Sequence, residues 1–548
     1  MFPIFSIFWF FRESKYILFW LYLWQLKEYH IGRLLDHFRT DKGRKLILSP
    51  ILFAKIILLA LFLANSSLFS FIFLILFLIY LFESAVFLKA ILAKQIKKPA
   101  WTGKTLFLVF ISFVFLIIFL WNIYQSANGT LALFYLLAFD ILTPLIISAI
   151  VLLFQPFFVF ARNNILRKAS RKINSFQNLT VIGITGSYGK TSTKEFLATI
   201  LSKKFKVAST KEHQNSEIGI AKCILNDLNA GHQIFIVEMG AYKKGGIKLL
   251  CDMAMPRIGI VTGVNEQHLA LFGSLDNLLS AEGGGELSEA LPRNGILAVN
   301  GDNKYCLDLL ERSNNLSPNR EKKYALSNKT VDADIWTEDI TVEKNSISFV
   351  AIMKAASAKS FGEPREMGHF KVDVLGKQNI QNLLGAILVA RELGINFGEI
   401  SNACKNIKQE QAGMILKQGK HGIDIIDSSY SANPDGVFAD LDYLNIFPNK
   451  KAIIMPCLIE LGPKSSEIHQ KIGKKIAEVC GLAIITSKDK FEDLKKGAIE
   501  AGMKPKNILL CDNPEEISTI ISLFCKAGDA VLLEGRIPAK IINLLTND

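Results

Sequence analysis

No cysteine precedes Cys223 in this 548-residue chain, and none of the eight present (Cys223, Cys251, Cys306, Cys404, Cys457, Cys480, Cys511 and Cys525) stands in a C-x-x-C pair. Such spacing supports neither a disulfide framework nor a zinc site, so free core thiols are expected. Acidic side chains are scarce over residues 1–175, where 6 Asp/Glu face 19 Lys/Arg. That imbalance accounts for the whole net charge of +13, and the remainder of the chain is balanced, so no nucleic-acid partner is expected. Internal repeats, low-complexity tracts and long linkers are lacking. So is a small-residue cleavage site before the second apolar stretch, and a cleavable signal peptide is not expected.

Apolar residues crowd the N-terminal region. Segments near Leu48–Ala64, Leu68–Leu88, Leu106–Trp121 and Leu131–Phe160 are long enough to cross a hydrocarbon core of about 30 Å, which takes about 20 helical residues. A fifth stretch, Pro3–Trp24, is interrupted by Arg12, Glu13 and Lys15; it either crosses with charges near one face or lies along the surface. The cations cluster in Lys27–Lys45, Lys94–Lys104 and Arg162–Lys172, whereas Asn65–Ser67 and Gln125–Thr130 carry no charge. By the positive-inside rule the basic segments and everything after Phe160 are expected in the cytoplasm, with the lipid bilayer as a partner.

The chain then changes character. A β-branched run, Val181–Thr185, leads into Thr185-Gly-Ser-Tyr-Gly-Lys-Thr191 and a helical pattern. Gly186 and Gly189 let the backbone curl so that its N–H groups, with Ser187 and Ser192, face a polyphosphate. Lys190 is placed to reach the β/γ-phosphates and Thr191 to hold Mg²⁺ at the helix N-terminus, which makes ATP and Mg²⁺ the expected cofactors.

Strand and helix patterns alternate from there: Val181–Thr185 with Thr193–Lys203, Ile234–Glu238 with Gly246–Met253, Ile258–Val264 with Leu275–Leu291. The expected class is α/β, a mostly parallel sheet covered by helices. Trp336–Val372 reads as an antiparallel excursion at its edge, and Leu383–Leu393 as a helix. Past Gln411, five strand candidates (Ile423–Asp427, Ala452–Cys457, Leu482–Thr486, Asn507–Leu510, Ala530–Glu534) separated by helices such as Ser466–Val479 and Pro514–Cys525 suggest a small doubly wound domain. The expected domains are therefore a helical transmembrane region with a basic linker (1–175), a central P-loop domain (176–410) and a Rossmann-like C-terminal domain (411–548), the last two closing on a shared cleft.

Further polar residues follow in order. Glu238 ends a parallel strand, where such sheets bind ligands, and a carboxylate there suits Mg²⁺; a solvent-facing strand end is the bland alternative. His268 lies just past another strand. Asn379 and Asn382 are spaced i and i+3 on a helix, either to read an adenine edge or to cap. Asp427 opens Asp427-Ser-Ser-Tyr-Ser-Ala-Asn-Pro434, which also reads as a turn or cap.

This order and spacing resembles the Mur ligase family, the ATP-dependent amide-forming enzymes of peptidoglycan synthesis, over roughly residues 178–540. The resemblance implies that a substrate carboxylate is phosphorylated by ATP and that an amine, D-alanyl-D-alanine in the branch it is most similar to, attacks the acyl phosphate. It also implies roles: Lys190 on the transferring phosphoryl group, Thr191 and Glu238 on one Mg²⁺, His268 on a second, Asn379 and Asn382 on adenine, Asp427 on ribose.

Five departures from the family are visible. Its carbamylated lysine aligns with Glu282, a carboxylate in its own right, with Glu286 as a rival beyond Gly283-Gly-Gly285. Its asparagine before the histidine motif is Gly263, and its histidine before the adenine-side asparagine is Gln378. Its phosphate-binding arginine aligns with Gly413, leaving Lys417, Arg536 or another cation as replacements. Finally, membrane segments stand where the family has a uridine-binding domain, so the acceptor is either a UDP-linked or a lipid-linked muropeptide. Other expectations are a Mur-type ligase for another membrane-associated acid, a transport or regulatory ATPase, and a nucleotide-binding scaffold.

Overall fold

The computed structural model describes residues 2–546 apart from 66–67, 94–95, 127, 212–213, 314–319, 330, 355–364 and 431. Parts of four segments singled out above (66–67 and 127 in the uncharged connections, 94–95 in a basic one, 355–364 in the antiparallel excursion) and Ser431 thus lie outside the described residues. The chain divides into two units, Met1–Asn163 and Asn164–Asp548.

The first unit is helical: α1 (Phe2–Leu26), α2 (Ile31–His37), α3 (Asp41–Ile47), α4 (Pro50–Ala64), α5 (Phe69–Leu92), α6 (Gly103–Ser126), α7 (Gly129–Leu153) and the start of α8 (Gln155–Asn174). Among the described residues four stretches are long and apolar enough to cross a membrane: Gly43–Ala64, Phe69–Leu92, Gly103–Gln125 and Gly129–Asn174. They coincide with the four uninterrupted apolar segments of the sequence, and many of their large apolar side chains, Leu63, Phe71, Phe110 and Leu145 among them, point outward. An outward apolar surface of that extent is unfavourable in water and favourable in lipid. The last stretch runs from α7 into α8, which carries Phe157 and Phe160 and whose basic residues begin at Arg162.

The second unit holds two sheets. Strands β1 (Thr180–Thr185), β2 (Val207–Ser209), β3 (Ile234–Glu238), β4 (Ile258–Val261), β5 (Ile296–Asn300), β6 (Arg320–Tyr324), β7 (Ile335–Val342), β8 (Ile347–Lys354) and β9 (Arg365–Val372) form one, in the order β2-β3-β1-β4-β5-β6-β7-β8-β9. It is parallel up to β7 and antiparallel through β8 and β9, as the excursion predicted. The near-continuous apolar runs of β1, β3 and β4 reflect burial on both faces. One face packs the helix α9 (Lys190–Leu201), whose Phe196, Leu197, Ile200 and Leu201 are fully buried, and the helix Gln378–Glu392. Each such side chain contributes about 1.5–3 kcal/mol.

The second sheet contains β10 (Ile415–Gln418), β11 (Asp424–Ser428), β12 (Lys451–Met455), β13 (Leu482–Ile485), β14 (Ile508–Leu510) and β15 (Ala530–Glu534), ordered β10-β11-β15-β12-β13-β14. Its five parallel strands are the five predicted; the antiparallel edge strand β10 is additional. The expected helix Leu275–Leu291 is two short helices, Leu275–Ser280 and Gly285–Ala290, because Gly284 takes φ +90° and breaks the turn between them. All eight cysteines are free and buried, as their spacing implied.

Candidate active site

Three neighbouring parallel strands deliver the site. In the register, Ile184 of β1 pairs with Glu238 of β3 and Thr185 with Val261 of β4, so the loops after all three leave from one sheet edge. After β1 the chain enters the phosphate loop at Gly186 (φ +139°) and reaches α9 at Gly189 (φ +76°). No side chain caps α9, which leaves its first N–H groups to the loop. Both glycines are sterically required as well: a Cβ on Gly186 would lie 2.3 Å from Thr262 Oγ1, and one on Gly189 2.4 Å from Asn382 Oδ1. Ser187 N–H donates to Gly263 O at 2.7 Å, and Lys190 Nζ folds back onto the Gly186 carbonyl.

Two polar groups flank this loop. Thr191 Oγ1 donates to Glu238 Oε2 at 3.0 Å, Asn215 Nδ2 donates to Oε1 at 3.1 Å, and the buried Lys194 ammonium lies 3.4 Å from Oε2. On the other side Glu282, 2 % exposed, accepts from Ser187 Oγ at 3.1 Å and from His268 Nδ1 at 3.0 Å. Burial alone would push the Glu282 carboxyl up, but the charge and hydrogen bond of His268, the Lys190 charge and the Ser187 hydroxyl hold it below the usual carboxylate range. Glu286 is occupied elsewhere, accepting from the N–H groups of Gly245 and Lys248 at the start of helix Gly246–Ala254. Of the two candidate glutamates, then, Glu282 faces the phosphate loop.

Among the described residues no three His, Cys, Asp or Glu side chains converge as a metal cluster. The Thr191–Glu238 pair offers hydroxyl and carboxylate oxygens at the helix N-terminus, a donor set that suits Mg²⁺. The His268–Glu282 pair suits it less, since Nδ1 is taken by the carboxylate and Mg²⁺ prefers oxygen to imidazole nitrogen. The remaining His268 nitrogen, Nε2, faces Glu460 at 3.9 Å.

Asn379 and Asn382 are both buried. Asn379 donates to Leu375 O at 2.7 Å and accepts from Asn382, whose Oδ1 approaches Thr193 Oγ1 at 3.5 Å. They brace the helix Gln378–Glu392 against the phosphate loop. Asp427 stands apart from these groups at the end of β11, accepting from Lys417 Nζ at 2.9 Å and from the Ser429 N–H and hydroxyl. Those contacts overcome burial and keep its carboxyl low. Ser192 Oγ donates to Ala412 O, tying α9 to the segment that leads into β10.

The departures have local physical reasons. A side chain at Gly263 (φ +151°) would meet the Tyr188 ring at 2.3 Å, so the tyrosine occupies the volume an asparagine would need. Gln378 donates to Asp440 across the domain boundary at 2.9 Å. Gly413 (φ +79°) is the left-handed cap of helix Gln409–Ala412, a conformation that disfavours arginine. Lys417 is committed to Asp427, and Arg536 is exposed. Sequence reasoning missed Lys194, one turn beyond Lys190 on the same helix, and Asn215, which lies in an unpatterned loop. It also missed Asn265, whose amide bridges to Asn433 and Asp435 of the second sheet domain at 3.0 and 2.8 Å.

Comparison with known proteins agrees with this geometry. Residues 184–390 match the Mur ligase middle domain and residues 414–537 the Mur ligase, glutamate ligase domain, together more than half of the chain. The chain is similar to the UDP-N-acetylmuramoyl-tripeptide--D-alanyl-D-alanine ligases of Synechocystis sp. (27 % identity; 58 % of this chain, 64 % of that protein) and Escherichia coli (27 %; 56 % and 64 %). It thus spans somewhat less than two thirds of the length of these relatives. Among solved structures it resembles the MurF ligase of Thermotoga maritima in complex with ADP (TM-score 0.58, 25 % identity; 70 % of this chain, 83 % of that one). MurF from Acinetobacter baumannii shares the fold (TM-score 0.61, 20 % identity; 70 % and 80 %). With its phosphate loop, its two sheets and both family domains in order, the chain belongs to the Mur ligase family.

Proposed function

We propose that this protein is an ATP-dependent, amide-forming ligase of peptidoglycan precursor synthesis that adds D-alanyl-D-alanine to a muramoyl-tripeptide, anchored by its helical unit in a bacterial inner membrane with its catalytic domains in the cytoplasm. The observation that carries the reading is the convergence of Lys190, Thr191–Glu238 and Ser187–Glu282–His268 on one phosphate loop within Mur ligase domains. An ADP-bound relative supports the nucleotide, and two named relatives support the substrates.

In this reading the loop N–H groups and Lys190 hold the polyphosphate and offset negative charge as the phosphoryl group moves to the acceptor carboxylate. Mg²⁺ bound at Thr191 and Glu238 would supply further positive charge to the phosphate oxygens. Lys194 and Asn215 fix the Glu238 carboxylate, and Asn382 fixes the loop from behind. Glu282 supplies, without modification, the carboxylate that the family makes by carbamylating a lysine; it orients His268 through Nδ1, leaving Nε2 toward the cleft. Asn265, reaching Asn433 and Asp435, couples domain closure to the site and keeps water from the acyl phosphate. The adenine and ribose contacts are assigned to the Asn379 and Asp427 regions. A helical unit in place of a uridine-binding domain leaves room for either a UDP-linked or a lipid-linked acceptor.

The test is phosphate release by the full-length, detergent-solubilised protein with ATP and Mg²⁺. Release that requires both the muramoyl-tripeptide and D-alanyl-D-alanine supports the reading. Release indifferent to both contradicts it and favours a transport or regulatory ATPase.

A further inference from the structure

Helix α1 falls outside the four long apolar stretches because three charged residues, Arg12, Glu13 and Lys15, sit near its middle. At about 1.5 Å per residue its 25 residues span about 37 Å, enough for a hydrocarbon core of about 30 Å. One side is closely packed within the helical unit: Phe5, Trp9, Ile17, Leu21 and Trp24 are buried, whereas Ile4, Ile7 and Phe11 face outward.

The cations of α1 have counter-charges on a neighbouring apolar helix, and Glu13 is paired within α1. Arg12 Nη1 pairs with Asp140 of α7 and Arg12 Nε lies 3.5 Å from Glu83 of α5. Lys55 of α4 bridges the same two carboxylates, 2.6 Å from Glu83 and 2.7 Å from Asp140, while Tyr80 OH donates to Asp140 at 2.8 Å. Glu13 contacts Arg12 at 3.0 Å and accepts from Thr143 of α7. Lys15 lies 5.7 Å above the Phe87 ring, within electrostatic reach of Glu83. Three cations meet three carboxylates, so the cluster carries no net charge into the apolar region.

The direction of α1 follows from its partners. Along α5 the contacts climb together: Phe5 with Phe73, Phe8 with Phe77, Arg12 with Glu83, Lys15 with Phe87. Along α7 they do so again: Trp9 Nε1 to Leu136 O, Arg12 to Asp140, Glu13 to Thr143, Trp24 Nε1 to Ser148 Oγ. Helix α1 therefore runs parallel to both. At its C-terminal end Gln25 exchanges two hydrogen bonds with Ala100, in the basic connection after α5. Its other end lies level with the uncharged connections.

We infer that α1 is a fifth membrane-crossing helix, held by this neutral intramembrane charge network, with its N-terminal end on the membrane face opposite the basic connections. The inference rests on the membrane reading of the helical unit. It is tested on the full chain with single substitutions Ile4→Cys and Arg39→Cys, probed by a membrane-impermeant maleimide in intact cells after confirming that the protein stays in carbonate-washed membranes. Both positions are exposed, and the eight native cysteines are buried and give little background. Expected is strong labelling of Ile4→Cys in intact cells and labelling of Arg39→Cys that rises at least tenfold only after permeabilisation. Membrane retention with both sites protected until permeabilisation overturns the fifth span alone. Loss of the protein into the carbonate wash overturns the membrane reading and the inference with it.

Discussion

His268 Nδ1 sits 3.0 Å from one oxygen of Glu282 and 3.1 Å from the other, and that same carboxylate accepts from Ser187 of the phosphate loop. One buried side chain thus joins the loop after β1 to the loop after β4. Glu282→Gln keeps the shape and removes the charge. Amine-dependent phosphate release is expected to fall by about 10²-fold while the protein remains folded, because a preorganised charge at such a site is worth about 3 kcal/mol. Since the Glu282 carboxyl is held low, its stabilising contribution is full above the ordinary carboxylate range and is lost as pH falls through its folded value. Melting curves of wild type and Glu282→Gln should accordingly draw together as pH falls below the ordinary carboxylate range. Full activity in the variant would remove Glu282 from the site.

Glu534, at the tip of β15, behaves oppositely. Burial first, then the neighbouring Asp440 charge and hydrogen bond, push its carboxyl well above the usual range, so the folded protein holds this proton more tightly than the unfolded chain does. The sign is fixed: stability declines as pH rises from the ordinary carboxylate range toward the folded value. Glu534→Gln supplies a permanent donor to Asp440. Its melting temperature relative to wild type should rise as pH increases above the ordinary carboxylate range, and parallel pH profiles would show that the pair does not share a proton.

At the phosphate loop, Gly189→Ala forces a positive φ on alanine and drives Cβ into Asn382 Oδ1. A loss of about 1–3 kcal/mol in stability is expected, with weaker nucleotide binding by calorimetry. Adding Asn382→Ala relieves the clash but not the backbone strain, so recovery should be partial. Unchanged melting in Gly189→Ala would refute the placement of Asn382 behind the loop.

In the helical unit, Lys55→Met strips both Glu83 and Asp140 of a partner at 2.6–2.7 Å. A destabilisation of about 3–5 kcal/mol is expected for a broken buried pair. The measurement is thermal aggregation in detergent, where a shift of only a degree would indicate that the network is hydrated and weak.

Much of this was legible in the chain. The long helices of the first unit appeared as apolar runs because apolar side chains lie all round them, and β1, β3, β4 and β11–β15 appeared as β-branched runs because parallel strands are buried on both faces. Strands β2, β5, β6 and β10 escaped notice: β2 has only three residues, β6 (Arg-Glu-Lys-Lys-Tyr) is too charged to read as a strand, and β10 is a short edge strand. Thr191 and Glu238 were readable from spacing. Lys194, Asn215, Tyr188 and the Asn265 bridge were not, since each acts through a neighbour that only folding supplies. The charges on α1 obscured its place for the same reason: Asp140, Glu83 and Lys55 lie 40 to 130 residues away in sequence.

The central claim is settled most directly by incubating the full-length protein with ATP, Mg²⁺, D-alanyl-D-alanine and, in separate reactions, UDP-linked and lipid-linked muramoyl-tripeptide, then weighing the products. The account predicts a pentapeptide product from at least one acceptor, formed in step with phosphate release and abolished by Lys190→Met. Phosphate release without any pentapeptide would contradict it.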